Sequence, residues 1–172
     1  NLVRFGPVVL AQALDYDKSR PWPIRIGELH NSSFPTPPIA AQATGYLGNH
    51  AMLAKSGLGG NIGYVPDQDG VLRRLPVVSH FNGQHYPTLS LALFDCCASK
   101  NQAKEVISQA MAKADQNGFA RVNYSKELDA YLVVSASSIL KRELAPSALR
   151  DRLIIIGSSS LSLSDRVRSE EH

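Results

Sequence analysis

Between Gly63 and Pro76 the chain reads Gly-Tyr-Val-Pro-Asp-Gln-Asp-Gly-Val-Leu-Arg-Arg-Leu-Pro, a run that leaves the backbone little choice. Pro66 fixes one φ, Asp67 and Asp69 can accept bonds from nearby backbone N–H groups, and Gly70 tolerates positive φ. Apolar residues flank this centre on both sides. They predict a hairpin or strand-turn-strand, with Asn61 to Val65 leading in and Val71 to Phe81 leading out. Arg73 and Arg74 then alternate across the outgoing strand, so one of them returns to lock the turn through Asp67 or Asp69, and the other is free to meet an anion. Pro76 cannot donate to a ladder and marks an edge or a bulge. Asn82-Gly83 is a second turn, after which Thr88 caps a helix whose Leu89, Ala92, Leu93, Cys96 and Cys97 share one face.

The rest of the chain alternates strand and helix signals. Pro7 to Ala11 is a continuous apolar run that reads as a strand buried on both faces. Residues 15–48 read as one long proline-rich loop, broken by Pro21, Pro23, Pro35, Pro37 and Pro38, tacked to the body by Trp22, Ile24 and Ile26 or serving as a binding lid. Asn49 to Ser56 suits a short helix. Asn101 to Ala114 suits a longer one, with Val106, Ile107, Ala110, Met111 and Ala114 on its buried side. Strands are expected at Phe119 to Tyr124 and Leu153 to Ile156, with an apolar run at Tyr131 to Val134 and helical turns at Ala136 to Lys141 and Pro146 to Arg150. The fold class this implies is α/β, three-layer, with a mixed, mostly parallel sheet and helices on both faces.

At 172 residues the chain is read as a single domain, 1–172. Its 18 basic residues exceed its 15 acidic ones by three, but they are scattered in pairs without interleaved aromatics. That pattern excludes a nucleic-acid face. No run of about 18 apolar residues is present, so any link to a membrane would come through segments outside this chain. Cys96 and Cys97 are adjacent on a helix and are expected as buried thiols rather than a disulfide.

Tests for specific chemistry are mostly negative. Asp67, Asp69 and Gly70 resemble the start of a calcium loop, but Val71 and the lack of a later glutamate argue for a turn. Gly57-x-Gly59 precedes a strand instead of following one, which disqualifies it as a nucleotide loop. No metal-ligand spacing exists among the five histidines and two cysteines, so neither metal nor cofactor is expected. The best ligand candidate is the loop of Ser158, Ser159, Ser160 and Asp165, because it follows the carboxyl end of the predicted last strand. A hydrolase using those serines is an alternative, although Leu161 stands where a nucleophile elbow needs glycine.

The order Gly-aromatic-Val-x-x-Asp-x-Asp-Gly-Val-x-Arg-Arg-x-Pro, followed by Pro-Thr-Leu-Ser-Leu-Ala, resembles the second family of CHASE domains. Asn123-Tyr124 and the closing Leu153 to Gly157 with its serine loop are similar to later blocks of the same family. Gly63, Asp67, Asp69, Gly70, Arg73, Arg74, Pro76, Pro87, Asn123, Tyr124 and Gly157 form the structural signature. The resemblance implies a non-catalytic, extracytoplasmic sensory domain of a bacterial membrane receptor with a cytoplasmic cyclase or histidine kinase output. It also implies an N-terminally shortened copy, an unknown small-molecule or environmental signal, and a homodimeric parent. A purely structural dimerisation module is a further alternative.

Overall fold

The computed structural model describes residues 7–30, 34–55, 57–125, 130–158 and 168–169. Among these, the residues up to Val122 together with 168–169 form one compact unit, and those from Asn123 to 158 form another.

In the first unit a four-stranded sheet has the order β2-β4-β1-β5, where β1 is Val9–Asp15, β2 Arg25–Ile26, β4 Gly45–Leu47 and β5 Leu58–Asn61. β1 runs parallel to β5, with Val9 opposite Leu58 and Gln12 opposite Asn61, and antiparallel to β4. A second sheet joins β3 (Ala41–Gln42), β8 (Val78–Phe81) and β9 (Gln84–Pro87). Two-stranded ladders pair β7 (Arg74–Pro76) with β10 (Phe119–Arg121), and β6 (Val71–Leu72) with β11 (Arg168–Ser169). Parallel and antiparallel pairings are mixed, as an α/β chain with short connections requires, but the strands are divided among several small sheets.

α1 (Ala51–Ala54) is a single turn capped by His50. α2 (Leu89–Cys97) begins where the Thr88 side chain accepts the Leu91 amide, and it packs against β1 and β5. α3 (Lys100–Ala112) packs against α2, capped by Ser99. The core is Phe34, Val77, Val78 and Leu91. Against it lie Val106, Ile107, Ala110, Met111 and Ala114, the face expected from helical spacing. Asn82 and Gly83 close the β8–β9 hairpin with φ of 49° and 78°, the conformation that two-residue hairpin turns need.

Several expectations are corrected. The segment leading into the Pro66–Gly70 turn does not pair with the one leading out, because β5 finds its partner in β1 and residues 62–66 belong to no strand. The outgoing stretch divides into β6, β7 and β8 in three different sheets. Pro76 lacks an N–H, and Val77 instead donates to the Gly118 carbonyl, so the chain changes partners there. Residues 15–48 contain β2, β3 and the whole of β4 instead of one loop. Trp22 is 83% exposed and tacks nothing down. His30, at 1% exposure, is the anchor. Its amide donates to Gln12 Oε1 (3.0 Å), its Nδ1 lies 3.2 Å from the Gly57 carbonyl and its Nε2 3.2 Å from Asn49 Nδ2. A carbonyl can only accept and an amide NH₂ only donate, so the proton sits on Nδ1. The apolar start of β1 is only half-buried, since Ala11 is exposed. Cys97 is likewise exposed; burial pushes the Cys96 thiol up to about 12.

In the second unit, α4 (Ala136–Leu140) is capped by Ser135, which accepts the Ser138 amide at 3.1 Å, and Pro146–Ala148 makes a short 3-10 turn. Leu153 to Ile156 lies outside any strand, and Ile156 is 92% exposed. An apolar run becomes a buried strand only where neighbouring strands supply backbone partners, and no ladder includes it among the described residues.

Candidate functional site

The first unit carries an open cleft of about 760 Å³ where four loops meet. Tyr16 and Lys18 come from the segment just after β1; Pro38, Ile39 and Ala40 from the approach to β3, and Gln42 from β3 itself; Val65 to Gln68 from the turn. Arg74 of β7 and Asp115, Gln116, Asn117 and Phe119 complete it.

Each wall is fixed locally. After β1 the chain makes an Asx turn, in which Asp17 Oδ1 accepts the Ser19 amide (2.9 Å) and hydroxyl (2.6 Å) and Arg20 Nε reaches Asp17 Oδ2 (3.0 Å). These bonds, Ser19 foremost, hold the Asp17 carboxyl below its usual range. The Asp67 amide donates to the Val71 carbonyl and the Gly70 amide to the Asp67 carbonyl, with Gly70 at φ 78°. On the opposite wall, Asp115 Oδ1 accepts the amides of Asn117 (2.8 Å) and Phe119 (3.0 Å) and so closes its own turn.

The two arginines divide the work differently from the alternation expected. Arg73 grips Asp69 with two bonds of 2.9 Å and Asp67 with one of 3.1 Å. Arg74 also reaches Asp67 (3.1 Å), and its Nη1 lies 3.7 Å from Asp115 Oδ2. Both side chains therefore converge on the turn, and Arg74 is not an isolated anion ligand. The Arg73 guanidinium holds the Asp69 carboxyl down to about 2, and Arg73 followed by Arg74 lowers that of Asp67.

Behind the cleft, Tyr16 leads into a buried polar cluster. Its hydroxyl lies 2.5 Å from Ser79 Oγ and accepts from Asn61 Nδ2 at 2.7 Å, while Asn61 Oδ1 accepts the amides of Leu14 (2.9 Å) and Gly63 (2.7 Å). Desolvation pushes the Tyr16 phenol up to about 12, so it remains neutral. Its ring meets Phe119 edge-on, with centroids 5.7 Å apart. Gly63 is part of the same cluster, since a Cβ there would stand 2.0 Å from the Leu14 carbonyl oxygen.

The serine loop fares differently. Ser158 is exposed in the second unit, and Ser159, Ser160 and Asp165 lie outside the described residues. Of the signature residues, Gly63, Asp67, Asp69, Gly70, Arg73 and Arg74 gather at or beside the cleft. Pro76 and Pro87 are buried in β7 and β9, whereas Asn123, Tyr124 and Gly157 belong to the second unit. A Cβ at Gly157 would meet nothing within 4 Å. Sequence reasoning missed the walls contributed by Lys18, Gln42 and Asp115 to Asn117. The turn-forming Asp17 and Asp115, each followed by polar residues, were the available signal.

Fold and cleft together make an α/β domain with a concavity of mixed polar and apolar lining built by loops. The chain belongs to the CHASE2 domain family, which matches it over residues 8–169, and that family is one of extracellular sensory domains of receptors. No curated relative and no solved structure matches the chain.

Proposed function

We propose that this chain is the signal-input domain of a bacterial transmembrane receptor, held outside the cytoplasmic membrane and controlling a cytoplasmic cyclase or histidine kinase. The observation that carries this reading is the family match over nearly the whole chain. The cleft between Tyr16, Lys18, Gln68 and Asn117 is where the signal molecule binds. Its volume falls within the range of roughly 300–1,000 Å³ common for small-molecule sites. A ligand there biases the receptor by binding one conformation of the surrounding loops better than another. The parent acts as a homodimer, a reading supported by the large apolar side chains each unit exposes, Trp22 and Met52 in one, Leu140 and Ile156 in the other.

The reading frame on either side of these residues provides the test. Flanking apolar segments of about 20 residues and a cyclase or kinase module beyond them are the expected result. A frame without such segments would overturn the receptor assignment. In the reconstituted receptor, substitutions at Gln116 and Asn117 are expected to change the output without unfolding the domain, read as cyclic nucleotide formed or phosphate incorporated.

A further inference from the structure

Resting on the cleft being the signal site, we infer that its ligand is a small molecule with one carboxylate and a hydroxyl- or amide-bearing body. Several of the lining groups are already occupied. Asp67 takes both arginines, and Asp115 Oδ1 is filled by two backbone amides. Gln42 is spent on the Ala40 carbonyl and His80. Among the described residues, the Lys18 ammonium and the side-chain amides of Gln68, Gln116 and Asn117 have no protein partner. Arg74 Nη1 adds donor capacity, because its 3.7 Å approach to Asp115 is an ion pair too long for a hydrogen bond.

These free groups define complementary chemistry. Lys18 is the lining charge without an opposite partner, and an ammonium with three donors suits a carboxylate. Phosphate suits the cleft poorly, since a near-dianion is usually met by a helix N-terminus or several unpaired cations, whereas none of the lining residues belongs to a helix and Arg74, the cation besides Lys18, is paired with Asp67 and Asp115. The three amides each offer donors and an acceptor, which matches hydroxyls or amides. Pro38, Ile39 and Pro66 give the ligand's carbon skeleton an apolar surface.

The experiment titrates the 172-residue chain, labelled with ¹⁵N, with D-glucuronate, D-gluconate and N-acetylglycine, and in parallel with glucose and inorganic phosphate. Saturable amide shifts at Lys18, Gln68, Gln116 and Asn117 are expected for at least one carboxylate. In Lys18→Gln the affinity for that probe is expected to fall about ten-fold or more, with the rest of the spectrum unchanged. Three results overturn the inference: cleft shifts as strong for glucose or phosphate as for the carboxylates, undiminished affinity in Lys18→Gln, or no cleft shift with any carboxylate up to about 10 mM, a concentration well above that of most physiological sites. The first two leave the cleft standing as the signal site. Saturable shifts confined to residues outside the cleft, for every probe, would remove the cleft reading itself.

Discussion

The hydroxyls of Tyr16 and Ser79 lie 2.5 Å apart and belong to residues 63 positions distant in sequence, joining the end of β1 to the middle of β8. Asn61 completes the cluster by donating to both. The wall of the cleft thus rests on a fully buried serine.

Removing the phenol hydroxyl is expected to matter for that reason. Tyr16→Phe takes the phenol away from both Ser79 and Asn61, leaving them only each other, and should destabilise the domain by about 1–2 kcal/mol in urea denaturation. Combined with Ser79→Ala, the loss should be clearly less than additive, because both changes remove the same bond.

The Tyr16 phenol also sets an alkaline limit. Its pKa is raised to about 12 by burial, against 10.0 when unperturbed, so the folded state favours the protonated form. That contribution is complete below pH 10 and is lost as pH rises toward 12. Ultraviolet difference titration of the protein against Tyr16→Phe should find the Tyr16 phenol ionising only together with unfolding, and a Tyr16 phenol titrating normally in the native protein would contradict the burial.

The turn at Asp67 to Gly70 has the opposite dependence. Asp69 is held to about 2 and Asp67 is lowered, chiefly by Arg73, so their contribution is present above the ordinary carboxylate value of about 4 and is lost as pH falls toward 2. Carboxyl carbon shifts should report both acids titrating late, and Arg73→Gln should return both toward the ordinary value.

Gly63 and Gly157 are both signature glycines, yet their surroundings differ. At Gly63 an added methyl meets the Leu14 backbone at 2.0 Å, so Gly63→Ala should cost about 1–3 kcal/mol. At Gly157 nothing lies within 4 Å, and Gly157→Ala should change stability by less than about 0.5 kcal/mol. Thermal denaturation of both variants compares them directly.

His80 and His85 face each other across the β8–β9 hairpin, with ring centroids 5.1 Å apart. His85 titrates below its ordinary value, first because of desolvation and then because of His80, so its share of stability is present above that value and is lost on acidification. His80→Gln should move the His85 ring titration upward in NMR, and an unchanged titration would remove the coupling.

What the sequence made legible was local. The Asn82-Gly83 turn, the Thr88 cap, the apolar face of α3 and the Arg73 clamp each depend on residues within a few positions of one another, so spacing alone identifies them. The resemblance to CHASE domains was legible for a similar reason, as ordered blocks of such turns. Partner choice was not. Nothing near Asn61 announces that β5 pairs with β1, and the run from Val71 to Phe81 looks continuous although its pieces join three sheets. The cleft was hidden for the same reason, since Tyr16, Gln42, Gln68 and Asn117 meet only once the chain has folded. Leu153 to Ile156 shows the converse, an apolar pattern without a ladder to enter among the described residues.

Two guanidiniums meet two carboxylates at the turn, but they are not equivalent, because Arg73 bridges Asp67 and Asp69 whereas Arg74 reaches only Asp67 of the pair. Losing Arg74 alone would leave the turn clamped, whereas losing Arg73 would leave the Asp69 carboxylate without a guanidinium, so the shape of this wall depends on one side chain.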